Sequence, residues 1–308
     1  MPQPASHGSA DATARLMLVV LGLAWGSTWV AMKIALEEIP PFSMRLGTSG
    51  LATLTLFAIA ALQRRNLRVR NAAAAVHLVV AGSLNVASFT VLSAFAQLST
   101  TTSRVAVLTY TMPIWAVLLA RPVLGERLNI TRGLALLLCV VGLSILISPL
   151  IGTSDLIGLA LALATAVAWA VGTVYLKWAH IDADPLAIAA WQVLVALVLT
   201  AAGLFMVEGS PHLSLAHPLA FWAMVYSGLV GSALAYLLWF EIVRRLPAMT
   251  ASLGVLSAPV VGVIASVLVL GERPTVPDII GFTLMLSAAA CVLLAPAARA
   301  PENAPIEQ

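Results

Sequence analysis

Leu108–Arg127 reads LTYTMPIWAVLLARPVLGER, and Gly254–Arg273 reads GVLSAPVVGVIASVLVLGER. Pro113 aligns with Pro259, and Gly125-Glu126-Arg127 aligns with Gly271-Glu272-Arg273, at one shared offset (259 − 113 and 271 − 125 are both 146). Each copy is an apolar helix with a proline near its middle and a Gly-Glu-Arg turn at its end. A repeat of about half the chain means that one unit was duplicated, and such a period governs every local assignment.

Outward from this block the chain stays apolar. Of its 308 residues 61% are hydrophobic and 9% charged, with mean hydropathy +1.00. A soluble domain carries about 25% charged residues, so this chain cannot cover a water-facing surface and reads as an integral membrane protein. Apolar runs of about 20 residues, the length that spans a bilayer as a helix, recur throughout. Ten spans are expected: 15–35, 43–62, 72–97, 103–121, 130–148, 155–178, 186–207, 217–244, 250–270 and 278–296. Helices are the expected form, because lipid offers no partner to unpaired backbone groups. The first span is too long for a signal peptide and carries Trp25, Trp29 and Lys33, so it is read as retained. Residues 1–14 and 297–308 read as polar tails, the first disordered, leaving 15–149 and 150–296 as the two repeats. The net charge of +3 does not point to nucleic acid, since the basic residues sit between spans. Cys139 and Cys291 lie in apolar spans with no metal or redox spacing, and neither a metal nor a cofactor is expected.

Loop charges set the orientation. With the N-terminus in the cytoplasm, that side holds Arg15, Arg64, Arg65, Arg68, Arg70, Arg121, Arg127, Arg132, Lys177, Arg244, Arg245 and Arg299. The outer side holds only Lys33, Arg45, Arg104 and Arg273. This is a positive-inside pattern with both termini cytoplasmic. Five spans per repeat is an odd number, so the second copy enters the membrane from the opposite side. Trp25 with Trp169, Lys33 with Lys177 and Pro41 with Pro185 support the alignment. The expected fold is all-α, ten transmembrane helices as two inverted five-helix repeats, an arrangement common in secondary transporters.

Ala24-Trp25-Gly26 in span one, Pro113 and Pro259, the terminal Gly-Glu-Arg of spans four and nine, and ten spans as five plus five together resemble the EamA family of the drug/metabolite transporter superfamily. Within it the chain is similar to the YddG-type exporters of aromatic amino acids and methionine. The resemblance covers about residues 15–296. It implies an inner-membrane exporter with spans one to four and six to nine around a central cavity, and spans five and ten to one side. Ala170 stands where the first repeat has Gly26, so the second copy of the tryptophan motif is half preserved.

Polar and aromatic residues at mid-membrane depth are the candidates for substrate contact, because burying them without a partner is costly. Trp25, Thr28, Trp29 and Met32 share one helix face, which reads as a cavity wall or equally as plain packing. Gly22 and Gly26 form a second face that lets another helix approach closely. Asn85 has a full amide to satisfy, against a substrate or a neighbouring helix. Tyr110 lies one turn before Pro113, which strips the Thr109 carbonyl of its helical donor; Pro259 does the same to Val255, with Ser257 nearby. Trp169, Thr173 and Tyr236 complete the set, and Pro113 and Pro259 are candidate flex points for gating. Spans five and ten carry almost nothing polar, as expected of scaffold helices.

Acidic residues lie at span ends, in loops or in tails, except Glu241, which Arg244 and Arg245 follow at i+3 and i+4. Arg45 and Arg104, at outer helix starts, read as interface anchors, with substrate clamps as the weaker alternative. A cavity without deep fixed charge and rich in aromatics suits neutral amphipathic metabolites, above all zwitterionic amino acids with rings or thioethers. The missing deep carboxylate points to a facilitator driven by the substrate's own gradient; a proton-coupled exporter of other metabolites or drugs is the alternative. An intramembrane enzyme is the distant rival, with no nucleophile motif, metal set or phosphate loop and hence no catalytic residue to name. A channel would favour rings of like polar groups along a pore. The expected partners are the bilayer and a small-molecule substrate, and both a monomer and a homodimer fit the sequence.

Overall fold

The computed structural model describes residues 7–100, 102–148, 156–212, 217–271 and 273–294. Ten helices among them are long and apolar enough to cross a membrane: α1 Thr13–Leu36, α2 Pro41–Leu62, α3 Ala72–Ser99, α4 Arg104–Leu124, α5 Ile130–Ile147, α6 Leu156–Trp178, α7 Pro185–Val207, α8 Pro218–Arg245, α9 Ala248–Leu270 and α10 Val276–Leu293. Each end falls within three residues of its expected position. Helical backbone already begins at His7, which corrects the expectation of disorder up to residue 14. Residues 1–6, the tail 297–308 and Glu272 lie outside the described residues.

The helix ends follow local chemistry. Pro41 and Pro185 open α2 and α7 at the one position where a missing N–H costs nothing. Asn71, Asn129 and Asp184 each cap the following helix by accepting a backbone N–H at 2.8–2.9 Å. Thr275 and Asp278 form a reciprocal capping box. Gly125 (φ 66°) and Gly271 (φ 67°) take α4 and α9 out of the helix in the left-handed conformation, which glycine alone adopts without strain. That is why the repeated turn begins with glycine.

The packing carries the duplication into three dimensions. α1 packs on α9 as α6 packs on α4, α1 on α8 as α6 on α3, and α2 on α8 as α7 on α3. Three pairs map onto themselves, α2 with α7, α4 with α9 and α5 with α10. Exchanging each helix for the one five places on therefore reproduces these principal contacts. With an odd number of helices per half, the halves run in opposite directions: two inverted repeats. Arg15 Nη1 donates to the Leu293 carbonyl at 2.8 Å, so α1 begins and α10 ends on one face, here the terminal face; the other is the far face.

Small residues set the close approaches. A Cβ on Gly22 would lie 2.2 Å from Ser257 Oγ, and one on Gly26 2.5 Å from the Ala258 carbonyl, so the glycine face of α1 seats α9. In α5 and α10, a Cβ on Gly142 would lie 2.8 Å from the Gly281 carbonyl, and one on Gly281 2.9 Å from that of Gly142. Only 28% of the apolar window of α5 and of α10 is buried, the lowest share among the ten helices, which places this pair at the side of the bundle.

The eight helices around the centre are not all continuous. α3 contains a π-helical turn at Ser83–Ala87 and α8 one at Ser227–Leu234, matching positions at an offset of 144 (227 − 83). α4 breaks at 110–111 and α9 at 255–256, one turn before the repeated prolines. Wide turns at matching depth in both halves loosen the backbone where the cavity lies.

Candidate substrate cavity

At the centre the paired tryptophans meet. Trp25 and Trp169 stand edge to face with centroids 5.5 Å apart, as two quadrupolar rings prefer. Trp239 lies 5.6 Å from both. Tyr236 stacks on Trp169 at 6.0 Å, and Phe89 closes on Trp169 edge-on at 5.3 Å. The π turn of α8 presents the Gly231 carbonyl, which accepts the Trp25 indole N–H at 3.1 Å. Gly231 is required there: a Cβ would lie 2.4 Å from the Thr28 side chain.

A central cavity of about 60 Å³ opens on this cluster. α1 lines it with Trp25, Thr28, Trp29 and Met32, α2 with Met44, Arg45 and Thr48, and α4 with Thr109, Tyr110 and Met112. Phe89 enters from α3, Trp169 from α6, and Ser227, Gly231, Ser232 and Tyr236 from α8. Two larger cavities flank this one. One of about 250 Å³ lies on the far side, with Lys33, Arg273 and Asp278 in its wall. The other, of about 470 Å³, lies on the terminal side between the ends of α4, α6 and α8, with Glu126, Lys177 and Arg244. Trp29 and Tyr110, 6.2 Å apart, belong to the walls of both the central and the far cavity and so divide them. Phe240, in the wall of the terminal cavity, stacks on Tyr236 at 6.3 Å.

Six of the residues singled out in the sequence therefore converge on one space: Trp25, Thr28, Trp29, Tyr110, Trp169 and Tyr236. Asn85 and Thr173 do not line it. Asn85 Nδ2 donates to Thr173 Oγ1 at 2.9 Å, both side chains fully buried, and a Cβ on Gly172 would lie 2.6 Å from the Asn85 backbone. The pair ties α3 to α6. Ser257 sits beneath Gly22 in the α1–α9 seam. Pro113 is buried in α4, and Pro259 lies in the wall of the far cavity. The Val255 carbonyl, expected to be freed by Pro259, instead accepts the Ala258 N–H at 2.9 Å, because the helix tightens there into a shorter turn. Glu241 pairs with Arg244 and Arg245 as its spacing implies. His77 Nδ1 lies 2.6 Å from the Tyr175 hydroxyl, joining α3 to α6 near the terminal face.

Arg45 is the principal correction. Expected as an interface anchor, it is 8% exposed and lines the central cavity. Its Nη2 donates to Ser93 Oγ at 2.9 Å and Gln97 Oε1 at 3.3 Å, both on α3, and its Nε has no partner among the described residues. The cavity is thus not free of fixed charge. The signal lay in α2 itself, where Arg45, Thr48, Ser49 and Thr53 follow the spacing of one helix face and are all buried. Gln192, which holds in α7 the place of Thr48 in α2 (192 − 48 is 144), is fully buried with both amide atoms unpartnered. Among the described residues no cluster of three His, Cys, Asp or Glu could hold a metal ion.

Ten membrane-length helices in inverted halves around a central aromatic cavity define a multi-pass membrane protein of the transporter class. The model of the EamA-like transporter family matches twice, at residues 12–148 and 156–294, and the chain belongs to that family. It is 25% identical over 273 residues to the uncharacterized transporter YoaV of Bacillus subtilis (strain 168), covering 88% of this chain and 93% of that one. It is 26% identical over 277 residues to the uncharacterized transporter YvbV of the same organism, covering 88% of each. A solved crystal structure shares the fold with a TM-score of 0.76 at 20% identity, over 92% of this chain and 96% of its own.

Proposed function

We propose that the chain is a secondary transporter that exports small neutral amphipathic metabolites, aromatic amino acids and methionine foremost, across the inner membrane by alternating access. The observation that carries this reading is the convergence of six polar and aromatic side chains from α1, α4, α6 and α8 on one central cavity. Its rings offer flat apolar faces to an aromatic or thioether side chain. The Thr109 carbonyl, whose helical donor position is taken by Pro113, offers an acceptor to an ammonium group. Asn85 and Thr173 support this wall from behind, and Pro113 and Pro259 are the points at which α4 and α9 flex. Loop charge places both termini in the cytoplasm. The only carboxylate expected within a span, Glu241, is engaged by two arginines near the terminal face, which favours a facilitator driven by the substrate gradient.

The test is uptake of labelled phenylalanine, tryptophan and methionine into proteoliposomes without an imposed ion gradient, with Trp169→Ala beside the wild type. Saturable entry, mutually competed and lost in the variant, is the expected result. Entry that requires a proton gradient would replace the facilitator by a coupled exporter. No entry under either condition would remove the substrate assignment.

A further inference from the structure

A positive charge stands in the wall of the central cavity and, among the described residues, meets no carboxylate. Arg45 is more than nine-tenths buried. Among the described residues its side-chain hydrogen bonds go to a serine and a glutamine, both neutral, and both use Nη2. It makes no ion pair with a described carboxylate. No aspartate or glutamate belongs to the cavity lining. Burying a guanidinium without a counter-charge is costly, and intramembrane charge of this kind persists where a ligand or a pathway uses it. The neutral bonds to Ser93 and Gln97 fix the orientation of the fork without neutralising it. The Nε atom is buried without a partner among the described residues, the side chain lines the cavity, and a planar guanidinium held in this way matches a carboxylate.

The second repeat lacks this device. The position matching Arg45 in α7 is Ala189, which is fully buried and apolar. The charge therefore belongs to the cavity's contents and not to the shared architecture.

We propose that Arg45 is the carboxylate-binding residue of the central cavity, so that the site selects amphipathic carboxylates: an apolar or aromatic body on the tryptophan wall and a carboxylate on Arg45. The inference deepens the transport reading above and rests on it for the location of the site. It adds a rank order that aromatic lining alone does not give. The carboxylate meets a full opposite charge, whereas the amine meets only the neutral Thr109 carbonyl and no acidic side chain of the lining. The amine-free acid binds at least as well as the amino acid, and the carboxylate-free amine is rejected by like charge.

The test uses the full chain in detergent and in proteoliposomes, with 3-phenylpropionate, phenylalanine and phenethylamine as probes. Binding is read from quenching of intrinsic tryptophan fluorescence, and transport from competition against labelled phenylalanine. The expected order is phenylpropionate equal to or tighter than phenylalanine, with phenethylamine failing to bind or compete. Arg45→Gln should weaken both carboxylates about 10- to 100-fold, the scale of a lost hydrogen bond to a charged group, and abolish the preference over phenethylamine. Arg45→Lys should keep the preference at reduced affinity. Ser93→Ala, which leaves the charge in place, checks that loss of an α2–α3 bond alone does not erase the order. If Arg45→Gln does not fold, the wild-type rank order still decides between the outcomes. Phenethylamine binding as well as phenylpropionate would overturn the proposal while leaving amino acid transport standing. Arg45-dependent binding of phenylpropionate without transport of any amino acid would support the carboxylate site and overturn the amino acid reading. Quenching by none of the three would overturn both.

Discussion

The two ways out of the central cavity are closed by different means. Toward the far face one pair of rings, Trp29 and Tyr110, separates the cavity from the outer space. Toward the terminal face the closure is several rings deep: Trp169 on Tyr236, Tyr236 on Phe240, with Trp25 and Trp239 packed across them. The positions that match Trp29 and Tyr110 in the second repeat are Thr173 and Leu256, and those that match Tyr236 and Phe240 in the first are Leu92 and Ala96. The backbone is two-fold and the closures are not. Duplication supplied the axis and the breaks in the helices, and divergence of side chains made one exit thin and the other thick.

Both closures carry unpartnered polar atoms. Among the described residues the indole nitrogens of Trp169 and Trp239 and the amide of Gln192 are buried without partners, as is the Tyr110 hydroxyl of the thin closure. Each such group costs about 1–3 kcal/mol. A transporter must leave each of its states, and a closure that buries unpaired donors is released more readily than one of hydrocarbon alone.

The difference also shows in the links between helices. On the terminal side Glu126 accepts the Ala248 and Met249 N–H groups at 2.6 and 3.1 Å, fastening the end of α4 to the start of α9. On the far side Glu208 accepts the Phe42 and Ser43 N–H groups at 2.7 and 2.8 Å and the Ser43 hydroxyl at 2.7 Å, fastening the end of α7 to the start of α2. A carboxylate on the free N–H groups of a helix start is favoured by both hydrogen bonding and the helix dipole. At the terminal end of the same α2–α7 pair the link is instead a salt bridge, Arg65 to Asp184 at 3.2 Å, with the arginine more than half exposed.

The largest effect is expected from breaking the thick closure. Trp169→Ala removes a fully packed ring and should cost on the order of 3 kcal/mol, seen as the greatest fall in melting temperature in detergent among these variants. A fall no greater than that of Tyr110→Ala would mean that the two closures are equivalent. Next come the two glutamates. Glu208→Ala and Glu126→Ala should each cost about 1–3 kcal/mol by leaving helix N–H groups without their charged acceptor. They should also bias the protein oppositely: a thiol reagent reaching Thr48→Cys should gain access from the far face in the first and from the terminal face in the second. Tyr110→Ala should cost less in stability, about 1–2 kcal/mol for a ring at a cavity wall, yet raise far-face labelling of Thr48→Cys strongly, because a single pair of rings stands in the way. The smallest effect belongs to Arg65→Ala, below about 1 kcal/mol and fading as salt is added, since the pair is open to solvent. A larger loss would show that this bridge, and not the ring stack, holds the terminal face shut.

The sequence alone determined the ten spans, their ends within three residues, the duplication and its inversion. Those features are local or periodic: a run of apolar residues spans lipid, glycine leaves a helix in the left-handed region, proline interrupts a hydrogen bond, and an odd number of spans reverses the second copy. The sequence also collected the side chains of α1 onto one face, since helical period fixes which residues share a direction. What that face meets was decided by the tertiary structure. Lipid and the interior of a helix bundle are equally apolar, so hydropathy does not distinguish an inward from an outward direction. Asn85 found Thr173 instead of the cavity because Gly172 lets α3 and α6 touch. Arg45, read as an anchor from its place near a helix start, turned inward because Ser93 and Gln97 on α3 wait there to hold it. The π turns that shape the cavity have no period in the sequence at all. The one in α8 presents the Gly231 carbonyl to the Trp25 indole, a contact across 206 residues that no local reading contains.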